Sequence, residues 1–272
     1  MVVTYILWCI RIGTKPCKYF QLNARYFNQK KGIFSKIEID ELIPKRWRLS
    51  QFYDDNERKP ECYPVFIKPE WGQNAKGIVR AKGAQELQQA REALVDSGIR
   101  HLIQQQAPEN QEFEIFSIRH HLHQDQYAIF TITEAVNDAE KNPINSIYNH
   151  HTRYVEVTDC FCESDKSRIW GYLGEIGQFN IARMSVRANG KQDLVDGRFH
   201  VIEINLFLPM PINFLDNKYQ WQDIRRLVKQ YMLALAQITW ARDKTQPTKP
   251  VFTKVMLYDR KSRLLNYFRE KL

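Results

Sequence analysis

Glu203-Ile204-Asn205 concentrates the most chemistry in the fewest residues of this sequence. Residues two apart in a strand project to one face. Glu203 and Asn205 would therefore point together, while Ile202, Ile204 and Leu206 enter a core. A carboxylate beside an amide oxygen is a hard, oxygen-rich pair of the kind that suits Mg²⁺. Upstream, Arg183, Ser185 and Arg187 alternate in the same way. If the two segments pair, five polar groups share one sheet face, and burying them without a ligand or mutual pairing is costly. The alternative is a solvated face with surface ion pairs. Lys68 ends the apolar run Val65-Phe66-Ile67, just before a polar stretch at 71–77 that holds Gly72 and Gly77. An ammonium there can reach a phosphate, and loop amides can close over one. Alone, it is equally an ordinary strand-end lysine.

These residues must be positioned by a mixture of short strands and helices. Strands are expected at 65–67, 78–80, 101–105, 179–187 and 199–206, with 113–120 and 127–133 paired around a turn. Leu87, Ala90, Arg91 and Leu94 recur at helical spacing and predict a helix over 84–97, with Gly98 as its cap. Trp221, Ile224, Leu227, Val228, Tyr231, Leu235 and Ile238 form one apolar stripe and predict a helix over 221–240. Residues 2–10 read as a first buried strand. They have no preceding basic residues and no small-residue cleavage site, against a signal peptide. Residues 137–175 show no clear period, and 188–198 read as a turn-rich connection. A basic tail after Pro247 and Pro250 reads as a helix packed on its own domain. The class is α/β or α+β.

At 272 residues the chain has room for one two-lobed domain or two small ones. No run reaches the ~18 apolar residues of a transmembrane helix. Five cysteines without a Cys-x-x-Cys argue against a zinc site or a disulfide framework and for a reducing cytoplasm. The net charge of +9 calls for anionic partners. His120, His121 and His123, like His150 and His151, could bind metal, but such runs more often face solvent. No nucleic-acid-binding module is recognisable, so no nucleic acid partner is expected.

The order Lys68-Pro69, polar loop, Gly77-Ile78, helix, Leu102-Ile103-Gln104-Gln105, turn, Glu112-Phe113-Glu114-Ile115, Arg183-x-Ser185, Glu203-x-Asn205 resembles the ATP-grasp superfamily over about residues 60–215. The likeness is greatest to the D-alanine–D-alanine ligase branch and related carboxylate–amine ligases. It implies that ATP lies between a small lobe, 61–108, and a large lobe, 109–240, followed by a basic tail, 241–272. Lys68 would contact the α- and β-phosphates, under the mobile loop that includes Gln73, Asn74, Ala75 and Gly77. Gln105 would face the adenine amino group, with backbone groups of Gln106 and Ala107 at the adenine edge. Pro108 falls where some relatives use a backbone N–H, which proline lacks. Glu112 would bind the ribose hydroxyls. Arg183 would steady the transferred phosphate, as the catalytic residue. Glu203 and Asn205 would hold Mg²⁺.

Two departures stand out. The family has an aspartate ligand where this chain has Ser185, so a weakened metal site is expected. Residues 1–60 are shorter than the α/β domain that precedes the lobes in such ligases. That segment is expected to be reduced, with Lys36 or Lys45 as the second phosphate lysine and the acceptor site reduced, absent or supplied by a partner protein. The implied activity is ADP-forming ligation of an unknown carboxylate to a nucleophile through an acyl phosphate, or else a decayed scaffold that keeps the fold.

Overall fold

The computed structural model describes residues 1–272 except 73–74, 76, 95–97, 140–142, 147, 243–246 and 270–272, and describes 261–269 by their backbone alone. In chain order the main elements are helix α1 (Val2–Ile12), short helix α2 (Lys36–Asp40), strands β1 (Gln51–Tyr53), β2 (Val65–Pro69) and β3 (Val79–Ala81), helix α3 (Ala84–Leu94), strands β4 (His101–Gln105), β5 (Gln111–Arg119), β6 (Tyr127–Asn137) and β7 (Thr152–Glu156), helix α4 (Glu163–Ile176), strand β8 (Ile181–Ala188), short helix α5 (Lys191–Asp196), strand β9 (His200–Asn205), and helices α6 (Trp221–Ala241) and α7 (Val251–Arg269).

They form two antiparallel sheets, one ordered β1-β4-β2-β3 and the other β7-β6-β5-β8-β9. One face of the smaller sheet is apolar: Phe52, Val65, Ile67 and Ile103 pack with Leu87 and Ala90 of α3. The N-terminal segment contributes β1 to this sheet.

The larger sheet has two unlike faces. Phe113, Ile115, Ile132, Met184, Val186 and Ile204 are buried together with Ile169, Leu173 and Ile176 of α4. Val251 and Val255 of α7 join this core, as does Trp47, which stacks on Phe199 with centroids 5.0 Å apart. The alternate residues face the smaller sheet and are polar. α6 and α1 cover the far end of that polar face, where Phe116 stacks on Tyr231 at 5.9 Å.

Residues 2–10 are helical, not a strand. Tyr5 and Cys9, four apart, bury one face against α6, and the Tyr5 hydroxyl shares a 3.0 Å hydrogen bond with Thr239. Gly13, at φ 78°, ends the helix by donating its N–H to the Cys9 and Ile10 carbonyls. A nine-residue apolar run fits either element by periodicity; the glycine stop was the available signal. Helix α4 lies within the stretch that showed no period. Its Ile169, Trp170, Leu173 and Ile176 form a helical stripe, and Asp165 accepts the Cys162 N–H at its start. The helix expected over 84–97 is present as Ala84–Leu94, and its last three positions lie outside the described residues. The tail is helical, with Val251 and Val255 packed on the domain.

Candidate functional site

A cleft of about 940 Å³, open to solvent, separates the two sheets. Strand pairing dictates what lines it. β8 lies between β5 and β9, with Ser185 opposite both Glu114 and Glu203, Arg187 opposite Glu112, and Arg183 opposite Asn205. Opposed residues in antiparallel strands share a face. The polar face is therefore built in rows, with Glu114-Ser185-Glu203 running across three strands. The hairpin expected from the alternation of 183–187 and 203–205 is present.

These charges pair with one another. Arg187 donates to Glu112 at 2.8 Å, and Asn145 donates to the same oxygen at 3.0 Å. The Ser185 hydroxyl donates to Glu114 Oε1 at 2.8 Å. Arg183 Nε lies 3.2 Å from Glu114 Oε2, and Lys36 Nζ lies 3.2 Å from Glu203. Burial, only partly offset by Arg187 and Asn145, pushes the Glu112 carboxyl up to about 7. Burial also raises Glu114, against Arg183 and Ser185, with the Glu203 charge adding to the rise. Glu203 goes the other way: burial would raise it, but Lys36, Lys68 and Arg183 hold it below the usual carboxylate range.

Lys68 enters from β2 and is buried. Burial first, and then the nearby Lys36, brings its ammonium down to about 8, against Glu203 and Asp40. Its Nζ donates to the Ile202 carbonyl at 3.3 Å, and Gln104 Nε2 donates to the same oxygen at 3.2 Å. The β8–β9 register explains why that carbonyl is available. Ser185 pairs with Glu203 and Val186 with Val201, so Ile202 is the extra residue of a bulge. The bulge thus tethers the smaller sheet to the larger one.

Leu49, Phe66, Ile78, Ile144, Ile202 and Ile212 form an apolar slot beside these charges. Gln105, Gln106 and Ala107 reach its edge. The register places Gln104 opposite Phe66 on the cleft face, and Gln105 opposite Val65 on the other face. Gln104, not Gln105, therefore turns its side chain into the cleft. The Gln106 N–H already donates to the Pro64 carbonyl, so it is not open to a ligand in the cleft. Ala75 lines the cleft and Gly77 sits at φ 76° nearby, against the Pro69 ring. Gln73 and Asn74 lie outside the described residues.

Asn205 shares the face of Arg183 but is not among the cleft-lining residues. Lys36 reaches the site through Glu203, whereas Lys45 is exposed and elsewhere. Sequence reasoning missed Gln104, Asn145 and Glu114 as site groups. Strand alternation pointed to Glu114, which shares a face with Glu112. Asn145 comes from the stretch without a period.

Among the described residues no group of three or more His, Cys, Asp or Glu could hold a metal. The triplet His120, His121 and His123 stacks its rings instead, with centroids 4.8 and 5.0 Å from that of His120, and His120 Nδ1 accepts backbone N–H groups of the turn. Two carboxylates in the cleft still fit Mg²⁺ that arrives with phosphate oxygens, which is how this ion is commonly bound. Glu114 Oε2 supports that fit, being buried without a hydrogen-bond donor.

No family model and no curated relative matches the sequence. Solved structures do resemble the fold. A D-Ala:D-Ser ligase from Enterococcus faecalis aligns at 14% identity with a TM-score of 0.51, over 79% of this chain and 70% of that one. A D-alanine–D-alanine ligase from Bacillus anthracis gives 13% identity and 0.49, over 76% and 66%. An L-amino acid ligase from Bacillus licheniformis gives 17% and 0.43, over 63% and 40%. The chain thus spans 40–70% of the length of these proteins. Two antiparallel sheets facing each other across a cleft, together with the first of these likenesses, give this chain the ATP-grasp fold. No helix among the described residues is long and apolar enough to cross a membrane.

Proposed function

We propose that this chain binds Mg-ATP in the cleft and acts as an ADP-forming carboxylate–amine ligase, with 61–108 and 109–240 as its two lobes. One observation carries the reading: buried Lys68 from one sheet and the Glu112, Arg183, Arg187 and Glu203 side chains of the other line a single cleft beside an apolar slot. Adenine would occupy the slot, with Gln104 and the peptides of Gln106 and Ala107 at its edge. Lys68 and Arg183 would hold the phosphates. Mg²⁺, bound with the nucleotide, would neutralise charge on the transferring group.

In the first step a carboxylate oxygen attacks the γ-phosphorus and the bond to the ADP oxygen breaks. An amine then attacks the acyl carbon. Phosphate leaves with the electrons of the C–O bond, and the amine gives up a proton. Catalysis of phosphoryl transfer rests on positioning and charge stabilisation, which is what Arg183 and Lys68 supply.

A decayed scaffold is the second reading, and the internal ion pairs favour it. Glu112, Glu114 and Glu203 already have cationic partners. Calorimetry with ATP and Mg²⁺, followed by an ADP-release screen across carboxylates and amines, separates the two. Acceptor-dependent ADP supports the ligase. Binding without turnover across the screen supports the scaffold, and absence of binding overturns both.

A further inference from the structure

The resemblance to ATP-grasp ligases implies a charged ligand where this chain has Ser185, yet Ser185 does not stand alone. It is flanked in register by Glu114 on β5 and Glu203 on β9, all three on the cleft face. Its hydroxyl proton is committed to Glu114 Oε1 at 2.8 Å. That bond orients the carboxylate and leaves Oε2 buried with no donor. Arg183 Nε is 3.2 Å away, but its N–H is not aimed at that oxygen and is itself without an acceptor.

Resting on the ATP-binding reading, we propose that Glu114 supplies the anionic metal ligand that Ser185 lacks. Glu114 and Glu203 together hold the divalent cation across Ser185, and the Ser185 hydroxyl is a positioning group behind Glu114. Two carboxylates completed by nucleotide phosphates match the usual Mg²⁺ set. Ligating carboxylates are themselves hydrogen-bonded by outer groups that fix their orientation, the part the Ser185 hydroxyl plays toward Glu114. Arg183, held by the unaligned ion pair and by the Met210 carbonyl at 3.3 Å, is free to turn to a phosphate when nucleotide enters.

The test uses the full chain, Mn²⁺ as probe ion and a non-hydrolysable ATP analogue, with free Mn²⁺ read by EPR. Nucleotide affinity is measured separately in EDTA. Glu114→Gln keeps the shape and an acceptor for Ser185. It is expected to leave metal-free nucleotide binding intact and to lower Mn²⁺ affinity in the ternary complex by about 10–100-fold or more, the loss seen even for outer partners of metal ligands. Glu203→Gln is expected to match it, and Glu114→Asp, which restores the charge, to recover part of the loss. Circular dichroism confirms that each variant is folded. Wild-type Mn²⁺ affinity in folded Glu114→Gln, with Glu203→Gln impaired, overturns the proposal and leaves the nucleotide reading standing. No analogue binding by the wild-type chain, with or without metal, overturns both.

Discussion

The two faces of the larger sheet are made by the same strands and obey different rules. On one face Phe113, Ile115, Met184, Val186 and Ile204 fill a dry core. On the other, one residue away at each step, Glu112, Glu114, Ser185, Arg187 and Glu203 line the cleft. The core face is held by packing, which tolerates exchange of one apolar residue for another of similar volume. The cleft face is held by charge pairs, where losing one partner strands the other in a low-dielectric site. A strand can thus carry stability on one set of alternate residues and line a cleft with the other.

Arg187→Ala breaks this division most sharply. It leaves Glu112 buried beside Asn145 alone, and unpairing a buried ion costs about 3–5 kcal/mol. Guanidinium unfolding should show that loss, and a loss near zero would mean that Glu112 takes up a proton or finds water. Met184→Ala, on the core face, should cost about 2–5 kcal/mol through its cavity. Its nucleotide affinity should stay at the wild-type value, and a drop there would dissolve the separation of the faces.

Lys68→Ala should do the reverse. Nucleotide binding should weaken by about 1.5–3 kcal/mol, the worth of a hydrogen bond to a charged group. Stability should fall little at neutral pH, because a buried ammonium is costly to keep charged. Calorimetry and a thermal melt on one sample compare the two effects directly.

The pH dependence sharpens the same point. Lys68 is held at about 8 in the folded chain, below the ordinary lysine range near 10.5. Between those values the unfolded chain binds the extra proton, so this lysine's contribution makes stability rise with pH there. Nucleotide phosphate favours the charged amine and pulls the pKa back up. Binding above about pH 8 should therefore take up a proton, seen as a binding enthalpy that depends on the buffer's ionisation enthalpy. Lys68→Met should abolish both the uptake and the rise in stability. Uptake that persists in that variant would assign it to another group.

Local pattern carried much of this protein. Alternation alone was enough to place Arg183, Ser185 and Arg187 together on one side of their strand and Glu203 with Asn205 together on one side of theirs, because the two-residue period belongs to the strand itself. The helical stripe of residues 221–240 was equally legible and appears as α6, with Tyr231, Leu235 and Ile238 buried. The ATP-grasp fold was legible from the order of short motifs and is the fold observed. Tertiary structure decided the rest, wherever the deciding contact is distant in sequence. A one-residue shift of strand phase turns a side chain to the other face, and the pairing of β4 with β2 selected Gln104 over Gln105 for the cleft. Residues 2–10 form a helix whose buried residues Tyr5 and Cys9 pack on α6, more than two hundred residues later, where Thr239 meets Tyr5. Glu114 met Ser185 only through the β5–β8 register, and the Ile202 carbonyl met Lys68 only through a bulge in β9. Periodicity reports which way a side chain leaves its own strand; only the packed sheets determine what it meets there.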